Sequence, residues 1–496
     1  MPGEPLLAGV DVGTTRVKAA LYDTRGRAVA SAAVPTPTRP LGPGRAEHDA
    51  EALWDAAVAA LRQALDDVAD PGRIASVAVA SMAEAGVPLD ASGEPTAPVI
   101  AWFDRRAEPQ ARRLAEAIGA VRLRTLTGVP PQPIYGVCKL AWLADHRPDA
   151  FARARVWLNI ADYIAYRLSG VHATDLSLAT RTGALDLRAR AWSREVLAAA
   201  GVPRPLLAPL VASGTALGGV TREAARVTGL AEHTVVGAGG HDHICGALAA
   251  GVVDPGRALD SIGTAESVLV PLTAPLPTGE DAPRYSQGVH VAAGRWYAST
   301  GVHAGGASID WVTGLVAGRA DRAGLLAEAA TVPIGAHGVV FAPHVHLPGV
   351  TDGAQGALAG LTPDTSGPVI VRAVLEGLAV AACATSRWRT SQAAHPAAPE
   401  VRVIGGGARN ALLLAIKAAV GGRSLRRPDL TEATALGAAL LGGVAAGVFN
   451  DTHAAAAAVA ADLDEVTPAD EDVAAYAAVA ARVRALSCLQ RAAPGR

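Results

Sequence analysis

The sharpest acid/base candidate in the 496-residue chain is the run Gly239-Gly240-His241-Asp242-His243. Two glycines ahead of an aspartate let a ligand approach the carboxylate closely. Such a carboxylate can accept the proton of an attacking hydroxyl. Phosphoryl transfer asks for that, for positioning, and for charge neutralisation by a divalent metal, with little covalent help from the protein. The His-Asp-His triplet also fits a metal pair or a surface turn. Catalytic zinc sites, however, draw on wider spacings such as HExxH, and no further ligand cluster is visible. His344 and His346 form a second such pair and read as loop residues.

Asp11-Val12-Gly13-Thr14-Thr15 combines a carboxylate, two hydroxyls and the exposed N–H groups of a tight turn. Such a turn forms an anion-binding nest, and the aspartate can hold a metal directly or through water. Lys18 adds positive charge if it faces the same way. An ordinary hairpin turn uses the same residue types. Gly263-Thr264 offers a second phosphate contact, and Gly405-Gly406-Gly407 a third glycine-rich turn before a helix start. Neither a GxGxxG fingerprint nor a Walker loop is present. Glu84 and Asp104 each follow a strand-like run, where α/β proteins gather ligands. Both can accept hydrogen bonds from substrate hydroxyls, and Trp102 can stack on the apolar face of a sugar. Salt bridges among Asp104, Arg105 and Arg106 are the competing reading.

These residues need a scaffold that holds them at strand ends. Runs 6–12 and 16–22 predict two strands joined by the Gly/Thr turn, and the Pro- and Gly-rich stretch up to Arg45 predicts loop. Leu53, Trp54, Ala57, Val58, Leu61 and Leu65 recur at helical spacing over 50–66. Runs 74–80 and 99–103 read as β, and 139–146 and 160–168 as helical. Strands alternating with helices predict an α/β protein. Residues 258–270 repeat the strand, Gly-Thr turn, strand order, which suggests a duplicated fold. Strand 401–404 then leads to the triple glycine, with helices over 410–420 and 432–446. The length suits two domains, divided near 251–255.

Half of the residues are hydrophobic, 18% are charged and 4% aromatic, with a net charge of −2. The composition fits a globular protein and implies neither nucleic acid nor an anionic membrane as partner. Abundant Gly and Ala point to close backbone packing. Cys138, Cys245, Cys383 and Cys488 form no CxxC pair, which argues against a disulfide framework or zinc site and fits a reducing cytoplasm. No signal peptide is visible. The apolar stretch 433–448 is short for a membrane span and reads as a buried helix.

Taken in order, these blocks resemble the FGGY carbohydrate kinases over nearly the whole chain. The similarity runs through Asp11-x-Gly13-Thr14-Thr15…Lys18, Glu47-His48-Asp49…Trp54 and Trp102-x-Asp104-x-Arg106. It continues through 139–146, Ala161-Asp162-Tyr163…Thr174-Asp175, Gly356…Gly360-Leu361…Glu376-Gly377, Gly405-Gly406-Gly407…Asn410 and 432–439. The resemblance implies an α/β, duplicated ribonuclease H-like fold of the actin and sugar kinase superfamily, two-lobed, with ATP and sugar meeting in an interdomain cleft. Residues 1–250 would form the sugar-binding lobe with the first phosphate loop. Residues 251–496 would carry the second phosphate loop and the adenosine site. By matching position, Asp242 is the catalytic base, and Asp11, with Asp242, is associated with Mg²⁺. Gly13, Thr14, Thr15, Lys18, Gly263 and Thr264 would contact phosphates, and Gly406, Gly407 and Asn410 adenosine. Glu84, Trp102, Asp104, Asp242 and His243 would meet the acceptor. Dimers are common in the family.

The acceptor positions depart from two well-known subgroups. Ala83-Glu84 replaces the His-Gly of xylulokinases and keeps only the Glu of the glycerol kinases' Arg-Glu. Ile134 and Ser267 replace a Tyr and a Phe of glycerol kinases, and His243 replaces the Asn or Gln common after the base. The expected acceptor is a ketose, a pentulose or hexulose; the alternatives are a tetritol, cyclitol or other polyol. An actin- or chaperone-like ATPase is the reading from another class, and it leaves Trp102–Arg106 and Asp242 unexplained.

Overall fold

Strands Leu6–Val12 and Arg16–Tyr22 are apolar and mostly buried, and they pair antiparallel, with Asp11 opposite Lys18. The computed structural model describes residues 4–263, 266–279, 285–302, 305–317, 322–343, 356–392 and 400–492. It divides into two units. The first is Met1–Asp254 with Pro271–Ala298 and Leu430–Ala461; the second is Pro255–Val270, Ser299–Asp429 and Asp462–Arg496. The first break thus falls beside the boundary expected near 251–255, but two later segments group with the first unit.

The sheet of the first unit has the order Ala216–Gly219, Val235–His241, Ile74–Ser81, Leu6–Val12, Arg16–Tyr22, Ala28–Pro35. Its three central strands are parallel to one another, and the others join antiparallel. Alternation along Leu6–Val12 sends Leu6, Ala8, Val10 and Val12 to one face and Leu7, Gly9 and Asp11 to the other. The first set packs with Leu53, Trp54, Ala57 and Leu61 of helix Ala50–Leu65, whose start is capped by Asp49 accepting from the Ala52 N–H at 3.0 Å. Helix Ala433–Ala445 covers the opposite face, where it crosses Gly9. Its Ala- and Gly-rich composition permits that close approach. This helix, the predicted buried apolar stretch, belongs to the first unit.

From its second strand on, after Ser286–Val289, the seven-stranded sheet of the second unit repeats this order. Trp296–Val302, Glu266–Leu272, Arg257–Ile262, Glu400–Ile404, Leu425–Pro428 and Leu463–Val466 follow one another. Arg257–Ile262 is antiparallel to Glu266–Leu272 and parallel to Glu400–Ile404, which is parallel to Leu425–Pro428. The last strand again joins antiparallel. Shared order and direction give the duplication suggested by the two Gly-Thr turns. The buried ammonium of Lys417, on helix Ala411–Gly421, pairs with Asp260 and, at 2.7 Å, with Glu266. It ties that helix to both strands of the second hairpin.

Residues 23–45 differ from expectation. The stretch read as loop contains strands Ala28–Pro35 and Arg39–Gly42, followed by Arg45–His48. Ala28–Pro35 is a largely exposed edge strand, so its pattern carries little apolar signal. The β run 99–103 is reduced to Val99–Ile100. One helix, Gly367–Gln392, holds an 18-residue window, Gly367–Ala384, long and apolar enough to cross a membrane; 67% of that window is buried inside the protein. None of the four cysteines forms a disulfide, and Cys138 and Cys245 are buried.

Candidate active site

Asp242 stands where strand Val235–His241 gives way to helix Asp242–Ala249. The strand lies so close to its neighbour that a Cβ on Gly239 would fall 1.8 Å from the Val79 carbonyl oxygen. Only glycine fits there, which is the physical content of the Gly pair ahead of the aspartate. The Asp242 carboxylate receives the His243 N–H at 2.6 Å and lies 3.0 Å from His241 Nε2. Burial alone would raise its pKa. His243 and His241, with the hydrogen bonds they provide, outweigh burial and hold the carboxyl well below the usual carboxylate range. Burial pushes the His243 imidazole down, so the donors and the helix N-terminus sustain the ionised Asp242 near neutral pH. The strand end is itself fixed: the His241 N–H donates to Ser177 Oγ at 2.9 Å, and that hydroxyl donates to Asp175.

Asp11, at the end of strand Leu6–Val12, is buried, and its Oδ1 has no hydrogen-bond partner. Burial and the charge of Asp242 push its carboxyl up to about 7, against the opposing pull of Lys18. Two carboxylates near enough for one to raise the pKa of the other, one with an orphaned oxygen, have an unmet demand for positive charge. They fit a hard divalent cation, which takes oxygen ligands and keeps part of its shell as water or phosphate. Among the described residues no group of three or more His, Cys, Asp and Glu side chains forms a closed protein cage.

The turn at Gly13-Thr14-Thr15 is closed by Gly13 N–H to Arg16 O at 3.1 Å and buttressed by Thr36, whose hydroxyl donates to Gly13 O at 2.7 Å. Thr14 and Thr15 keep partial exposure. Lys18 does share the face of Asp11, but its ammonium is paired with Glu432 at 2.5 Å. Trp102 joins this turn: its Nε1 donates to Thr14 Oγ1 at 2.9 Å and its ring packs on the core. The side chain expected to stack on a sugar thus braces the turn expected to contact phosphate.

Asp104 departs from its expected contact with substrate hydroxyls. It is fully buried, and its oxygens take the N–H groups of Ala46 and Arg106 together with Nε and Nη2 of Arg106. Arg106 continues to Glu47 at 2.6 Å. The carboxylate is consumed inside an ion network whose sequence trace was the Asp-Arg-Arg run.

Glu84 is buried, and its backbone has φ 61°, a left-handed conformation that costs a non-glycine residue about 1 kcal/mol or more. Two residues absent from the predicted site hold it. Lys139, buried on helix Gly136–His146, donates to the carbonyls of Glu84 and Ala101, each at 2.8 Å, and of Trp102 at 3.3 Å. Arg181, the last residue of helix Leu176–Arg181, pairs with the Glu84 carboxylate. Its guanidinium also lies over the Tyr135 ring, 5.2 Å from the centroid. The 97 residues between Glu84 and Arg181 leave no spacing from which to foresee this pair.

In the second unit, Gly405 has φ 93°, and a Cβ on Gly407 would lie 2.2 Å from Ile262 Cγ2. The triple glycine thus packs directly on the strand that leads to Gly263. Asn410 caps helix Ala411–Gly421 by accepting from the Leu413 N–H at 3.0 Å, while its buried Nδ2 has no partner. Thr264, His344 and His346 lie outside the described residues.

Sequence comparison matches residues 6–249 to the N-terminal domain of the FGGY family of carbohydrate kinases and 258–446 to its C-terminal domain. The C-terminal match includes helix Ala433–Ala445, which in space belongs to the first unit. A glycerol kinase of Citrifermentans bemidjiense is 32% identical over 92% of this chain and 93% of its own length. A xylulose kinase of Streptomyces rubiginosus is 33% identical over 88% and 87%. Among solved structures, the xylulose kinase of Rhodospirillum rubrum superposes with a TM-score of 0.85 at 28% identity, covering 98% of this chain and 99% of that one.

Proposed function

The chain belongs to the FGGY family of carbohydrate kinases, and we propose that it transfers the γ-phosphoryl group of ATP to a hydroxyl of a ketose, a pentulose or hexulose, with Asp242 as the base. The observation that carries this reading is the ionised Asp242 carboxylate at a strand end and helix N-terminus, beside Asp11. An acceptor hydroxyl hydrogen-bonded to Asp242 gives up its proton as its oxygen attacks the γ-phosphorus and the bond to the β-phosphate oxygen breaks, leaving ADP. The transition state is loose, so the proton leaves late and a base of low pKa suffices. Asp11 and Asp242 are the residues that would hold Mg²⁺, which neutralises charge on the transferring phosphoryl group when bound.

Gly13, Thr14 and Thr15 are assigned to phosphate contact through turn N–H groups and hydroxyls. In the second unit, Gly263 and Thr264 take the same role, and Gly406, Gly407 and Asn410 are assigned to adenosine, for which the unpartnered Asn410 Nδ2 is a ready donor. Glu84 and His243 are assigned to the acceptor. A ketone oxygen accepts hydrogen bonds and cannot donate them, which suits the donor groups of Arg181 and His243 near the base. The relative named a xylulose kinase supports the same choice. The relative named a glycerol kinase supports the alternative, a polyol acceptor.

The test is ADP release from ATP in the presence of ketopentoses, ketohexoses, tetritols, cyclitols and glycerol, with Asp242→Asn as control. A ketose should give the highest kcat/KM, and Asp242→Asn should lower it by 10² or more. Glycerol or a cyclitol as best acceptor by a wide margin would replace the ketose reading with the polyol one. Unchanged transfer by Asp242→Asn would remove Asp242 as the base.

A further inference from the structure

We propose that Arg181 is a positioning residue that sets acceptor specificity: it fixes Glu84 with one carboxylate oxygen facing the acceptor, and the pair selects uncharged polyhydroxyl compounds over sugar acids. The proposal rests on the reading of Asp242 as a kinase base and adds the element that tells one acceptor class from another.

Both partners are nearly removed from solvent, with side-chain exposures of 14% for Arg181 and 6% for Glu84. Arg181 directs Nε and Nη2 to the same carboxylate oxygen, Glu84 Oε1. Glu84 Oε2 makes no hydrogen bond to any described residue, so its lone pairs remain for a ligand hydroxyl. A guanidinium has five N–H donors, and Glu84 occupies only part of that fork. Tyr297 flanks the pair: it is 1% exposed, and its hydroxyl adjoins the Arg181 guanidinium. A buried carboxylate held through only one of its oxygens is the mark of a place where a polar ligand completes the bonding.

The pair also adjoins the chemistry. His243, next to the base, feels the charges of both Arg181 and Glu84. Glu84 is restrained twice, by Lys139 at its carbonyl and by Arg181 at its carboxylate, while its backbone sits in a strained conformation. Strain held from both ends is characteristic of a side chain whose direction matters.

Charge decides the class of acceptor. Arg181 is already neutralised by Glu84, and the nearby Asp242 and Asp11 carboxylates add negative charge. A sugar acid would bring a further carboxylate to a site that shows no uncompensated cation among the described residues, and desolvating it there is costly. A neutral vicinal diol or hydroxyketone instead donates to Glu84 Oε2 and accepts from the unused guanidinium N–H groups.

The experiment compares Arg181→Gln, Arg181→Lys, Glu84→Gln and the Arg181→Gln/Glu84→Gln double variant with the unmodified chain. kcat and KM are measured for D-xylulose, D-ribulose, D-fructose and D-gluconate, alongside thermal unfolding. Arg181→Gln should raise KM for the neutral acceptors tenfold or more, with kcat falling much less, and Arg181→Lys should restore only part of the loss. The double variant should lose less than the product of the single effects. Glu84→Gln leaves Arg181 uncompensated and should narrow the neutral-to-acid ratio of kcat/KM at least tenfold. If Arg181→Gln lowers the unfolding temperature but leaves KM and the ratio unchanged, the pair is merely structural and the proposal fails. If Arg181→Gln does not fold, Glu84→Gln decides by the same ratio. A chain that phosphorylates none of the four compounds or the wider panel would overturn the kinase reading itself, an outcome distinct from an unchanged ratio.

Discussion

The buried ammonium of Lys139 lies 2.8 Å from the carbonyl oxygen of Glu84, and the same nitrogen reaches the carbonyl of Ala101. One side chain thus anchors both segments that carry acceptor-site candidates, the turn at Glu84 and the turn at Trp102. Lys139→Met keeps the aliphatic bulk and removes the donors. Each buried carbonyl left without a partner costs about 1–3 kcal/mol, so unfolding should shift to lower denaturant by a few kcal/mol and KM for the acceptor should rise. Unfolding and KM both matching the unmodified chain would show that the clamp contributes nothing.

Ser177 supports Asp242 through the backbone, since its hydroxyl accepts the His241 N–H at 2.9 Å. Ser177→Ala should lower kcat several-fold with little change in acceptor KM, because the substitution loosens the strand end that aims the proposed base while leaving Glu84 and Arg181 in place. A rise in KM at constant kcat would contradict this division of labour.

Asp11 carries a buried oxygen without a partner and faces the charge of Asp242. Asp11→Asn should therefore raise the unfolding temperature of the metal-free protein by roughly a few degrees while raising the Mg²⁺ concentration needed for half-maximal transfer tenfold or more. The two readouts move in opposite senses, as expected where charge serves function at the expense of stability. An unchanged Mg²⁺ dependence would remove Asp11 from the metal site.

Asp162 offers a pH test away from the metal candidates. Burial and the neighbouring Asp175 push its carboxyl up to about 7, although Asn159 Nδ2 donates to it at 2.7 Å. A carboxyl raised above its unfolded value of about 3.9 contributes stability in full below that value and loses it as pH rises through about 7. Replacing it by Asn should flatten the decline in stability between about pH 4 and pH 7. Equal slopes for the two proteins in chemical denaturation would exclude an elevated pKa for Asp162.

Much of the scaffold was legible because it is local. The paired strands around Gly13-Thr14-Thr15, helix Ala50–Leu65 and helix Ala411–Gly421 after the triple glycine are all written in apolar spacing and glycine-rich turns. Strand Ala28–Pro35 was not, because an exposed edge strand is fixed by its hydrogen-bonded neighbour rather than by its own pattern. Asp104 shows the complementary limit: the residue type suits a sugar hydroxyl, but its oxygens are spent on Arg106 and Ala46.

By itself the sequence determined the family, the repeated strand order and Asp242 as the base candidate, since ordered motifs and short-range periodicity carry those properties. Only the tertiary structure decided what surrounds the acceptor candidates. Arg181 meets Glu84, Lys139 binds its carbonyl, and Trp102 bonds to Thr14, although each pair is separated by 55 to 97 residues. Hydrogen bonds and ion pairs act over a few ångströms in space, so chain spacing gives no measure of them; the folded sheet and its helices bring the partners together.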